Sequence, residues 1–219
     1  MHKISIALVF IAGMLFSGCG VFSQSATTLD NSKFYNSQSA SSAKGTVFIE
    51  SVNDKRDFQD KPKQASTPSI YKKQVASVSA AEKNTYIGRQ RNSYGYGAAN
   101  IVLDKDQTVT GLIKNRVSKA FAANGFYIIS ERSNIKQDTL LVHVDINKFW
   151  EFVRMGFWKG ALCAQINTNI STQNKTITTD IDYAEEMMAV YDEDHRKILN
   201  RALQEYEKDL TAKIALQFK

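Results

Sequence analysis

Between residues 139 and 170 apolar and polar side chains alternate over two long stretches, a pattern that leaves few folds open. Leu140, Val142, Val144 and Ile146 fall on one side of an extended chain, with Leu141, His143, Asp145 and Asn147 on the other. The pattern resumes with Leu162, Ala164, Ile166 and Ile170 opposed to Cys163, Gln165, Asn167 and Asn169. Strand side chains alternate with period two, so the two stretches predict an antiparallel pair with one buried and one wetter face. Between them Phe149, Trp150, Phe152, Phe157 and Trp158 bring together both tryptophans of the chain. Rings of this size close the end of a core when buried. Left exposed, Trp150 and Trp158 would form a docking surface for a sugar, lipid or partner.

The flanking sequence extends the pattern in both directions. Residues 45–52 predict a first strand, with Val47 and Ile49 on one face and Phe48 and Val52 on the other. Residues 104–124 predict a helix with Asp106 as N-cap and a stripe of Val109, Leu112, Ile113, Val117, Ala120 and Phe121. Gly111 weakens that helix by about 1 kcal/mol relative to alanine, and Asn124-Gly125 ends it. Residues 126–130 predict a strand and residues 176–190 a third meander strand. Asp192, Glu193 and Asp194 open a last helix where its dipole favours negative charge. Leu199, Ala202, Leu203, Tyr206, Leu210 and Ile214 form the packing stripe of that helix, with Phe218 as its last candidate member. One apolar stripe per helix predicts an α+β two-layer sandwich, with an antiparallel or mixed sheet of four to six strands and two helices on one face.

The start of the chain carries an address. His2 and Lys3 precede an apolar run, residues 4–16, which Ser17 and Gly18 separate from Cys19. A run of about 13 residues is too short for a helix across a bilayer core of about 30 Å, and the order of its parts is that of a secretory signal. The ending Leu15-Phe16-Ser17-Gly18-Cys19 looks like a bacterial lipobox, which implies a signal peptide over residues 1–18 and acyl chains, palmitate among them, on Cys19. By the same resemblance Gly20, in place of aspartate, directs the lipoprotein to the outer membrane with its domain facing the periplasm. Residues 19–44 have the Ser, Thr, Asn and Gln content of a flexible tether, which leaves residues 45–219 as a single domain. With Cys19 lipidated, Cys163 is alone and no internal disulfide forms.

Charge is concentrated in one segment. The formal charge is +6, of which Lys3 belongs to the leader, and residues 53–91 hold nine basic side chains against four acidic ones. That excess of five leaves the rest of the mature chain neutral. A basic loop over residues 53–97 suggests an anionic partner, an envelope lipid, polymer or protein, or else a solvated loop kept soluble by its lysines. No feature singles out nucleic acid. The segment ends in Ile87-Gly88-Arg89-Gln90-Arg91-Asn92-Ser93-Tyr94-Gly95-Tyr96-Gly97. Its glycines permit tight turns, Arg89 and Arg91 offer planar forks for oxyanions, and Tyr94 and Tyr96 offer stacking faces. It lacks the strand, glycine loop and helix of a nucleotide site.

The stretch IGRQRNSYGYG, the QTV that precedes the first helix, and FW followed by GFW resemble the YajG-like family of bacterial lipoproteins. Gln90, Ser93 and Met155 stand where that family has lysine, glycine and proline. The resemblance covers roughly residues 47–170 and implies no catalytic activity or cofactor. His143, Asp145 and Cys163 would form a nucleophile set only if the reversal between the two strands centred near Arg154. No residues have the spacing of a metal site. These readings lead to a non-enzymatic envelope lipoprotein that binds or scaffolds a component at the outer membrane. An auxiliary lipoprotein of a lipid-transport system is the alternative, and an envelope hydrolase ranks third.

Overall fold

The computed structural model describes residues 25–32, 36, 39–91, 97–156 and 160–218. The chain forms a mixed, curled sheet of eight strands, a half-barrel, with three helices. In order, its elements are β1 (Ser25–Thr27), β2 (Gly45–Asp54), α1 (Ala80–Lys83), β3 (Tyr86–Arg91), β4 (Gly97–Leu103), α2 (Val109–Ala123), β5 (Phe126–Ile129), β6 (Leu140–Met155), β7 (Gly160–Ser171), β8 (Thr176–Met187) and α3 (Asp192–Gln217).

β6 is the organising strand. Along one edge it pairs antiparallel with β7 over its length, from His143 opposite Ser171 to Met155 opposite Gly160, and β8 follows β7. The other edge is shared. Its first half pairs in parallel with β2, which in turn pairs with β5, and its second half meets β3 at Glu151 opposite Gly88. β3, β4 and β1 complete that arm. The expected two-layer sandwich of four to six strands and two helices is therefore incorrect. The basic segment supplies β3, the residues just after it supply β4, and the expected tether supplies β1, because each of these short runs gains its hydrogen bonds from a neighbouring strand.

Two β-bulges set which residues enter the core. One lies between Ile146 and Lys148 of β6, the other between Ile49 and Ser51 of β2. An extra residue shifts a strand's alternation by one. Val142, Val144 and Ile146 therefore enter the main core as even positions, and Phe149 as an odd one. Val52 packs with Val47 and Ile49, and not on the face expected for it. α2 and α3 cover this core with the stripes their spacing predicts, every residue fully buried except Phe218, which is partly buried against the core.

The N-cap of α2 is Thr108, whose hydroxyl accepts from the Gly111 amide at 3.1 Å, and not Asp106. A Cβ on Gly111 would stand 2.9 Å from that hydroxyl oxygen, so the glycine keeps the cap open. Gly125, with φ of 85°, ends the helix as expected. No helix among the described residues is long and apolar enough to cross a membrane.

Candidate functional site

The basic segment folds over the face of the sheet opposite the helices. Arg56 roots it there. The Arg56 side chain is buried against Asp54, donating from Nε at 2.8 Å and from Nη2 at 2.6 Å, and it also donates to the carbonyls of Tyr86, Phe149 and Lys83. Beyond it Phe58 meets Trp150 edge to face, 5.9 Å between ring centres. Trp150 is 1% exposed and donates its indole N–H to the Ala65 carbonyl at 3.2 Å. With Ile70, Val78, Tyr86 and Val102 it forms a second hydrophobic cluster under the loop. Trp150 is thus a core residue, not the ligand-binding ring expected of it. The bulge at Asn147 sends it to the opposite face from Val142, Val144 and Ile146, whose even numbering it shares.

The loop is then clasped to β4. The buried Asn100 side chain accepts from the Tyr71 amide at 2.7 Å and donates to the Tyr71 carbonyl at 3.4 Å. This holds the Tyr71 ring over Gly97, where an added Cβ would lie 3.1 Å from Tyr71 Cδ2 and 3.3 Å from Arg89 Nε. Gly97 therefore lets the ring and the guanidinium converge. Arg89 reaches this point because it pairs with Asn100 across β3 and β4.

Around that convergence lies a cleft of about 560 Å³ whose charged walls are Lys61, Lys72, Lys73 and Arg89, with Asp60 the one carboxylate. The volume falls in the range of small-ligand sites. Asp60 is engaged, accepting from the Val75 amide at 2.8 Å. Lys73 pairs with Glu82, which also accepts from the Tyr86 hydroxyl. Those bonds, that from Lys73 foremost, hold the Glu82 carboxyl below the usual range. Lys72 stands over the Tyr71 ring, 5.1 Å from its centre.

The backbone marks the same place. Among the described residues, the non-glycine positions with positive φ are Lys61 at 52° and Lys72 at 60°. The left-handed region is costly for a side chain with a Cβ. Residues held there cluster at sites where strain serves function. Both lysines line the cleft.

Other expected site residues lie elsewhere. Arg91 pairs with Gly97 through its backbone, and its side chain, like Tyr94, Tyr96 and Trp158, lies outside the described residues. The nucleophile set is not assembled. β6 continues to Met155, so Cys163 faces Phe152 and Asp145 faces Asn169. His143 is occupied by Ser51 at 3.0 Å and Glu50 at 3.4 Å, and Asp145 by Asn53 at 2.8 Å. Burial pushes the Cys163 thiol up, away from thiolate. No cluster of potential metal ligands occurs among the described residues.

The sequence reading passed over one buried polar pair. Glu151 is 0% exposed and its Oε1 lies 2.7 Å from Nδ1 of His195, itself 3% exposed. Burial lifts the Glu151 carboxyl above its ordinary range, and His195 only partly opposes this. For His195 burial works against the cation, but Glu151, with Asp192 and Asp194, outweighs it and raises the imidazole. The pair ties the start of α3 to β6 beside Gly88, where a Cβ would fall 2.5 Å from Glu151 Cγ. Glu151 follows the phase-shifting bulge, so alternation alone would not have placed it inside.

No family model and no curated protein matches the chain. Among solved structures, it is similar to a Xanthomonas campestris protein of family DUF330, at 9% identity over 89% of this chain and 92% of that one, with a TM-score of 0.44. An uncharacterised protein matches at 12% identity over 90% of this chain and 100% of that one, with a TM-score of 0.42. A neuraminyllactose-binding hemagglutinin homologue from Helicobacter pylori matches at 11% identity over 84% and 93%, with a TM-score of 0.37. Likenesses at this level assign neither family nor activity.

Proposed function

We propose that this chain is a non-enzymatic envelope lipoprotein of YajG-like type. It is anchored through acylated Cys19 at the outer membrane, with its domain in the periplasm, and binds an anionic envelope component in the Arg89 cleft. The observation that carries the binding reading is the left-handed backbone of Lys61 and Lys72 beside Arg89. A loop that needed its lysines only for solubility would have no reason to hold two of them in a costly conformation around one concavity. Arg89 forms part of the cleft wall. Cys163 lies opposite Phe152 and away from His143 and Asp145, so that particular nucleophile set is not formed.

The experiment has two readouts. Mass spectrometry of the mature N-terminus is expected to find a diacylglyceryl group on Cys19, and a product cut elsewhere would remove the anchor from this reading. Replacing Lys61 and Lys72 by glutamine is expected to abolish salt-sensitive binding of inorganic phosphate or an acidic polymer, with the melting temperature unchanged. A fall in melting temperature with binding intact would make the cleft a structural pin.

A further inference from the structure

We propose that the cleft end of the domain lies against the bilayer that holds the anchor, and that its ligand is the phosphodiester headgroup of an anionic phospholipid in that bilayer. This rests on the lipid-anchored reading above. Three observations point the same way. The first is the direction of β1. It runs parallel to β4, with Ser25 opposite Ile101 and Thr27 opposite Leu103. The chain therefore enters β1 from the Gly97 end of β4, and Gly97 is part of the cleft wall. Four strand residues, roughly 13 Å, separate the levels of Ile101 and Gly97.

The second is reach. Cys19 precedes Ser25 by six residues, and six extended residues span at most about 20 Å. An acyl group on Cys19 keeps that end of β1 within this distance of the lipid surface. The domain is then short-leashed, and the end it presents is set by strand direction.

The third is composition at that end. β3 and β6 run in parallel, so the end of β3, the β6–β7 reversal and the step from β8 to α3 share one end of the sheet. Met155 is 67% exposed, Met188 83% and Tyr191 70%, and all three lie there. Leu216, the other large exposed apolar side chain among the described residues, lies near the far end of α3. Single exposed apolar residues are ordinary. Three of four at the tethered end, which also carries the lysine-lined cleft, fit the apolar-plus-cationic contact of a peripheral membrane surface. Glu186, Asp192 and Glu193 also occupy this end, and Asp192 accepts from Gln90 of β3 at 3.5 Å, on the helix face of the sheet. The contact is then one-sided, with the cleft face nearest the headgroups.

The test is lysine acetylation of the lipidated full chain reconstituted in vesicles, read by peptide mass spectrometry. With phosphatidylglycerol present, Lys61 and Lys72 are expected to react several-fold more slowly than in pure phosphatidylcholine, while Lys208 on α3 is unchanged. High salt should remove the protection. Equal reactivity in both vesicles, or protection of Lys208 instead, overturns the orientation. Protection of Lys61 and Lys72 by inorganic phosphate but not by phosphatidylglycerol vesicles would leave the anionic-cleft reading standing and this inference false. A chain that lacks an acyl group and stays free of vesicles would fail the lipoprotein reading itself, and the inference with it.

Discussion

Arg56 ties the basic segment to the interior. The Arg56 side chain is fully buried, with a bidentate bond to Asp54 and bonds to three backbone carbonyls. Removing one partner of such a pair strands the other, and Arg56→Ala is expected to destabilise by about 3–5 kcal/mol in urea unfolding. Arg56→Lys should recover little, because an ammonium cannot reproduce the planar fork. A loss below about 1 kcal/mol, the size of an exposed ion pair, would mean the loop is held elsewhere.

The Glu151–His195 pair gives a residue-scale prediction in pH. Folded His195 keeps its proton above the ordinary imidazole value of about 6.5, so its contribution is complete below that value and fades as pH rises through the folded one. Glu151, also raised, acts with the same sign from the ordinary carboxylate value of about 4.3 upward. Stability should therefore fall between mildly acidic and mildly alkaline pH. In a Glu151→Gln, His195→Gln variant that slope should flatten, and urea unfolding across the pH series reads it. An unchanged slope would place the titration elsewhere.

Among the elements, α2 and α3 were legible because helical spacing commits every stripe residue to one face, and all but the partly buried Phe218 are fully buried. The strands were legible only as far as their first bulge. Period-two reasoning carries Val142, Val144 and Ile146 correctly inward and misassigns Val52, since an inserted residue leaves no compositional mark. β4 escaped notice for another reason. Its seven residues are nearly all buried, so they show no alternation.

β1 lay inside a stretch whose polar composition reads as tether. It is fixed from outside by Gln107, which accepts from the Leu29 amide at 2.8 Å and donates to the Leu29 carbonyl at 2.7 Å, with Leu29 in the core. Gln107→Ala leaves two buried backbone groups unpaired, a loss of about 1–3 kcal/mol for each. Hydrogen exchange at residues 26–30 should accelerate in this variant while α2 and α3 keep their protection. Uniform loss of protection would show that β1 is inseparable from the core.

At the scale of the whole molecule, the sequence located the charge but not the shape that makes it a site. The nine basic residues of the 53–91 segment and its Gly/Arg/Tyr ending were visible in one line of text. That Asn100 would clasp Tyr71, that Gly97 would let Tyr71 and Arg89 converge, and that Lys61 and Lys72 would be left-handed depend on long-range contacts and positive φ, which composition does not encode. The strand count failed likewise, because β1, β3 and β4 exist through their neighbours and not through a pattern of their own.

The claim that joins these scales is that the cleft is built for an anion at the expense of local stability. Substituting glycine for Lys61 and Lys72 tests it directly. Glycine relieves a left-handed penalty of roughly 1–2 kcal/mol per residue, offset by about 0.5–1 kcal/mol of its own chain entropy. Measured on one double variant, calorimetric melting and phosphate titration should show stability held or raised while salt-sensitive anion binding is lost. Lower stability with binding intact would contradict the account, and return both lysines to a structural role.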